Sequence, residues 1–162
     1  YQVLGEFEIA ISLLKQLVIM NPKNANYLKK LASIYMTTGQ FANAKEIYER
    51  IIKQGSVNPQ TYYELSILCV KTNDLDRAEQ ILKKVCGLNP DFAPAHKDLG
   101  VIYLNKRLFD YAKDEFEKAY SIDPNNYSIV VEYANYLHST SDFEAADKLY
   151  QKLNFNRKTL ML

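Results

Sequence analysis

The chain has 162 residues, with 20 Lys and Arg against 19 Asp and Glu, for a formal net charge of +1. That balance argues against the basic surplus that marks most nucleic-acid-binding domains. No apolar run approaches the ~20 residues needed to span a bilayer, and the length is ample for one continuous core once repeated units stack.

Apolar periodicity predicts helices over 6–20, 25–38, 41–55, 59–72, 75–87, 93–106, 109–121, 127–140 and 143–154. They fall into two alternating kinds. The first, third, fifth, seventh and ninth carry an alanine at an unvarying spacing of 34 residues: Ala10, Ala44, Ala78, Ala112 and Ala146. Three residues before each alanine stands Phe7, Phe41, Leu75, Phe109 or Phe143, and four after it Leu14, Tyr48, Leu82, Phe116 or Tyr150. These offsets place all three residues on one helix face. A small residue between two bulky ones makes a notch for a second helix. Pro22, Pro90 and Pro124 follow twelve residues after their alanines and stop the helix, because proline cannot continue it.

The intervening helices share three apolar registers. The first is Leu28, Tyr62, His96 and Val130; the second is Leu31, Leu65, Leu99 and Tyr133; the third is Tyr35, Cys69, Tyr103 and Leu137. Next to the second register stand Ala32, Ser66, Gly100 and Ala134, small enough for close approach. Each unit is therefore an antiparallel pair of amphipathic helices. Local signals set several starts. Asn58-Pro59 supplies an N-cap and a proline at the first helical position. Ser141-Asp142-Phe143-Glu144 matches a capping box, and Asp91 and Pro94 open another helix. The stretch from Lys53 to Asn58 reads as a loosened turn that keeps the period.

A period of 34 with these marks resembles the tetratricopeptide repeat family. The clearest unit reads His96-x-x-Leu99-Gly100-x-x-Tyr103, then Ala112-x-x-x-Phe116-x-x-Ala119, then Pro124. It is similar to the family's W-x2-L-G-x2-Y…A-x3-F…P pattern, with His96 in the tryptophan's place. The departures are a chain without Trp, Ser56 and Lys158 at proline positions, and Asn73, Arg107 and Ser141 where Gly5 and Gly39 supply the turn glycine. The resemblance implies an all-α, right-handed superhelical solenoid of about four and a half repeats: a half repeat 1–24, then 25–58, 59–92, 93–126 and 127–162, forming a single array over 1–162.

In that family the first helix of each unit lines a concave groove. The register carries over to Asn26, Lys29, Ser33 and Met36, then Tyr63, Ile67 and Val70, then Lys97, Val101 and Leu104, then Val131, Asn135 and His138. The middle of this surface is apolar, as a docking site would be. The alternative is that curvature buries part of it between neighbouring first helices. The family's carboxylate clamp needs Lys and Asn four apart, followed by further Asn, Lys and Arg. Here Ser33 follows Lys29, the next unit offers Glu64, and the third offers Pro94 and Asp98, so the clamp fails residue by residue.

Chemistry is sparse. His96 takes a large core position and reads as structural, while His138 faces the groove either as a contact or as a solvated bystander. Neither histidine nor Cys69 and Cys86 has metal-ligand spacing. The two thiols sit near opposite ends of their helix pair, too far apart for a disulfide, and suit a reducing, cytoplasmic setting. Asp114 and Glu117 read as solvated helix surface. No catalytic constellation, metal site or cofactor is expected.

The expected function is a non-catalytic scaffold or adaptor that binds a peptide or helix of a partner protein, with no nucleic acid and no transmembrane segment. The alternative is a substrate-recruiting region of a larger enzyme or of a secretion or assembly protein. Tyr1 falls on the register of Tyr35, and the sequence ends in the apolar run Thr159-Leu160-Met161-Leu162. Neither end carries a polar cap, which points to a segment of a longer protein or to self-association through the ends. The alternative is that Leu160 and Leu162 fold back on the last helix pair.

Overall fold

A computed structural model describes residues 2–159, with side-chain surroundings for 5–153. The described residues form helices joined by short turns, and no strand occurs among them. In chain order the helices are α1 (Gln2–Met20), α2 (Ala25–Thr37), α3 (Phe41–Lys53), α4 (Pro59–Lys71), α5 (Leu75–Leu88), α6 (Ala93–Asn105), α7 (Phe109–Ile122), α8 (Tyr127–Ser139) and α9 (Phe143–Thr159). Seven of the nine match the periodicity to within two residues at both ends. Two run longer. α1 starts at Gln2 and passes through Gly5, so Gly5 is not a turn residue. A glycine inside a helix costs only about 1 kcal/mol, too little to break a continuous run of backbone bonds. α9 continues past Asn154 to Thr159. Tyr1, Leu160 and Leu162, with the register and the fold-back expected of them, lie outside the described residues.

The turns inside the pairs share one construction. After α2 the Gly39 N–H donates to the Met36 carbonyl at 3.2 Å and the Gln40 N–H to the Tyr35 carbonyl at 2.8 Å. This is the paired C-terminal closure of a Schellman motif, which demands a left-handed residue. Asn73, Arg107 and Ser141 occupy that position with φ of 59°, 58° and 65°, against 73° for Gly39. Holding a side chain in this conformation costs roughly 1 kcal/mol or more, and the same two bonds form in each turn. Gly55, at φ 96°, closes α3 within the loosened connection.

The starts follow side-chain chemistry in part. Asn24, Asn58 and Asn126 cap α2, α4 and α8, each side chain accepting backbone N–H bonds of the first turn. The expected capping box is displaced. Ser141 is consumed by the left-handed turn, so Asp142 caps α9 by accepting from the Ala145 N–H at 3.3 Å, and Glu144 pairs outward with Lys148 at 2.7 Å. Before α6 the cap residue is Phe92, without a side-chain bond, and Pro94 lies in the first turn.

The chain divides into two compact units, residues up to Ile81 and residues from Leu82, with the division inside α5. In the first, α1 packs on α2, α2 on α3 and α3 on α4. In the second, α6 packs on α7, α7 on α8 and α8 on α9, and α6 also touches α8. Ala44, Ala78 and Ala112 are fully buried, as the notch requires. Opposite them the small register does the same work: a Cβ added at Gly100 would stand 2.9 Å from two atoms of the Phe116 ring. Burying Phe116 contributes about 1.5–3 kcal/mol, and it can approach α6 only because Gly100 has no side chain. The bulky residues ahead of the alanines are less buried than their register suggests. Phe109 and Phe143 are 44% and 53% exposed. Each is the first residue of its helix, directly after the turn, where only one side of the residue faces the pair.

Candidate functional site

The candidate surface consists of the free faces of the first helices, and each unit holds its own portion. In the first unit α2 presents Lys29 and Met36 half-buried and Ser33 exposed, with Asn26 also exposed beside the cap. α4 presents Tyr63 and Ile67 half-buried and Val70 exposed. In the second unit α6 presents Lys97, Val101 and Leu104, all half-buried. The Lys97 ammonium lies 2.7 Å from an Asp98 carboxylate oxygen and reaches the Ser128 hydroxyl of α8 at 3.5 Å. On α8 Val131 is half-buried, while Asn135 and His138 are exposed. These two also engage their own second helix: the Tyr150 hydroxyl donates to Asn135 Oδ1 at 2.7 Å, and the His138 ring meets Phe143 edge-on at 5.0 Å.

Another register on the same helices belongs to the core and is missing from the sequence reading. Leu68, Ile102 and Tyr136 are buried, and Ile34 shares their period. Tyr136 shows why. Its ring packs 5.4 Å from Phe116, and its hydroxyl donates to the Phe109 carbonyl at 3.2 Å, both on the preceding α7. At Tyr136 this register therefore seals the α8–α9 pair onto the α6–α7 pair. The signal was available in the sequence, since an apolar residue recurs at every 34th position from Ile34.

One cluster of titratable groups lies inside a helix pair, away from these faces. His96 is buried, its Nδ1 lies 2.5 Å from a Glu115 carboxylate oxygen and its Nε2 2.9 Å from the Pro90 carbonyl oxygen. Both partners accept, so both ring nitrogens donate and the ring is an imidazolium. The Cys86 sulfur, 3.7 Å from Nδ1, and the Glu115 carboxylate push its pKa up to about 10, helped by the Pro90 carbonyl and opposed by burial. For Glu115 burial works upward, but hydrogen bonds from His96 and Lys118 outweigh it and hold the carboxyl below its ordinary value. Cys69 is fully buried and burial pushes its thiol up; both thiols are free. Among the described residues no group of His, Cys, Asp and Glu is arranged to hold a metal ion, and no helix is long and apolar enough to cross a membrane.

Comparison with known proteins bears on this arrangement. Models of the tetratricopeptide repeat match residues 4–65, 39–99 and 94–126. The chain belongs to the tetratricopeptide repeat family. Among curated proteins it is similar to BBSome complex member BBS4 of Bos taurus, 24% identical over 149 residues, covering 92% of this chain and 28% of that protein. It is also similar to lipopolysaccharide assembly protein B of Escherichia coli K12, 25% identical over 128 residues, covering 76% of this chain and 33% of that protein. The chain thus spans about a third or less of these repeat-containing relatives. Among solved structures, the crystal structure of MamA superposes with a TM-score of 0.83 at 23% identity, covering 99% of this chain and 94% of that one. YrrB, described as a TPR protein with an unusual peptide-binding site, superposes at 0.72 with 19% identity, covering 94% and 78%. At these identities the likeness is one of fold.

Proposed function

We propose that this chain is a non-catalytic interaction scaffold that docks a peptide or helix of a partner protein on the free faces of its first helices. The observation that carries the reading is the set of apolar side chains left partly open there. Tyr63, Ile67 and Val70 lie on α4, and Val101, Leu104 and Val131 on α6 and α8. They sit on registers distinct from the buried ones that hold the pairs together. Within each unit these apolar positions stand on helices that also carry polar ones, Lys29 and Ser33 in the first and Asn135 and His138 in the second, and suit an amphipathic helix or an extended segment with alternating apolar anchors. Membership in a family whose relatives include a complex subunit and a peptide-binding protein supports the same reading. The free thiols suit a reducing compartment such as the cytoplasm.

A second reading draws on the share of each relative that is covered. The chain matches 12% of a probable peptide N-acetylglucosaminyltransferase of Hordeum vulgare at 29% identity. An array of this kind recruiting substrate for chemistry carried elsewhere in a longer protein uses the same faces.

Peptides selected from a random library against the chain test the proposal. Ile67→Glu and Val101→Glu each place a charge on the docking face and weaken selected peptides at least about tenfold, the cost of an unpaired charge at an apolar contact being more than 1.4 kcal/mol. Lys113→Glu on exposed α7 leaves affinity unchanged. Full affinity in both apolar-to-Glu variants, with circular dichroism still helical, would refute the reading.

A further inference from the structure

A second helix buries one face against its own first helix, and the second unit shows which residues meet. On α7 the Glu115 carboxylate holds His96 of α6 at 2.5 Å, and the Phe116 ring lies against Gly100 of α6, where an added Cβ would stand 2.9 Å away. Ala119 shares a buried cluster with Ala93 of α6. Toward the end of α7 the contacts move back toward the start of α6, as an antiparallel pair requires. In the first unit α3 carries Ile47, Tyr48 and Ile51 at these registers and Ala44 at the notch; all four are buried, and α2 packs on α3.

On α1 the same registers are Leu13, Leu14 and Leu17, with Ala10 at the notch. They are open. Leu13 and Leu17 are 56% and 36% exposed where Ile47 and Ile51 are 9% and 3%, and Ala10 and Leu14 are only half-buried. The opposite side of α1 is occupied. Val18 is buried there, at the register of Tyr120, which packs on Tyr133 of α8 at 5.8 Å, and α1 packs on α2. So α1 is covered on the side that meets the following pair and bare on the side where α3 and α7 hold a first helix. Ile9 and Met20, also exposed, fall on the bare side and extend the apolar stripe to three helical turns. A contiguous apolar stripe of this kind marks an interaction site.

We propose that the bare face of α1 seats an antiparallel amphipathic helix of a partner polypeptide whose contact face is like that of α2, with leucine over Leu13 and alanine over Leu14. The residue types follow from what α1 carries. Leu28 and Ala32 are the α2 residues at the registers of His96 and Gly100, and both are fully buried. α1 matches α3 at these positions, with Leu13 for Ile47 and Leu17 for Ile51, so a face that suits α3 suits α1. A face like that of α6 does not. Its His96 is an imidazolium held by Glu115, and Leu13 in the place of Glu115 would leave that charge buried without a partner. The seat lies on a second helix, away from the free first-helix registers, and stands independently of the docking face proposed above.

The test is a titration of the isotope-labelled 162-residue chain at pH 6, followed by amide chemical shifts, with two synthetic peptides. The peptide of residues 24–38 carries the α2 face and its Asn24 cap, and that of residues 90–106 carries the α6 face with the Pro90 carbonyl that holds the His96 ring. Saturable shifts centred on α1 are expected from the first peptide, and several-fold weaker binding from the second. Leu13→Glu, at an exposed position, weakens the first peptide at least about tenfold, the effect of a charge at an apolar contact, and strengthens the second, reversing the preference. Ile67→Glu changes neither affinity, so failure here is distinct from failure of the docking face. Absence of saturation by the first peptide, equal binding of the two, or undiminished binding of the first by Leu13→Glu each overturns the proposal. So do the same shifts on raising protein concentration alone with the mass of a dimer, which would assign the face to a second copy.

Discussion

His96→Gln removes a buried charge from the α6–α7 pair. The native ring titrates near 10 and an unfolded one near 6.5. In a fully dry site that difference would correspond to ~5 kcal/mol. Solvent reaches the cluster through Lys118, whose side chain is 55% exposed, so the figure is discounted toward that of one charge-assisted hydrogen bond, about 2 kcal/mol. Because the folded state holds the proton more tightly, this stability is fully present below pH ~6.5 and is lost as pH rises toward 10. Thermal unfolding of wild type and His96→Gln from pH 6 to pH 10 measures it. At pH 6 the variant melts roughly 4–8 °C lower, and the gap closes as pH approaches 10. Subtracting the variant's curve removes the lysines and tyrosines that titrate in the same alkaline range. A constant gap across the range would refute the charged-ring argument and leave His96 as a shape-filling residue.

Gly100→Ala pits a helix-propensity gain of about 1 kcal/mol against an overpacking cost of about 1–3 kcal/mol, because its Cβ would meet the Phe116 ring at 2.9 Å. A lowered melting temperature is expected, and the loss in Gly100→Ala with Phe116→Leu should be smaller than the sum of the single losses; strict additivity would disprove the contact. Thr61 buries a hydroxyl that has no hydrogen-bond partner among the described residues. Thr61→Val should therefore raise stability by about 1 kcal/mol, read as a higher melting temperature, and a destabilised variant would show that the hydroxyl is satisfied after all.

Much of the fold was legible in the sequence because its determinants are local. The asparagine caps bond their own first turns, and the left-handed positions at Asn73, Arg107 and Ser141 fall at a fixed offset from the apolar run. Periodicity reports which residues share a face along one helix. It does not report which neighbouring helix that face meets. The burial of Leu68, Ile102 and Tyr136 therefore escaped notice, and Phe109 and Phe143 looked more buried than they are. The capping box failed for a related reason, since the turn claimed Ser141 first.

The candidate surface divides in the same way. The repeat suggested which positions of the first helices stand off the core registers, and the structure leaves apolar side chains partly open there. It took tertiary packing to bring His96 of α6 against Glu115 of α7 and the end of α5, and so to make a buried histidine a charged one. Lys15, Asn43 and Val18 look unremarkable in their own helices, and only packing brings them around one cavity between α1 and α3. Sequence sets the period because helix geometry is local, and the assembled helices set what fills the gaps because contact depends on distance in space.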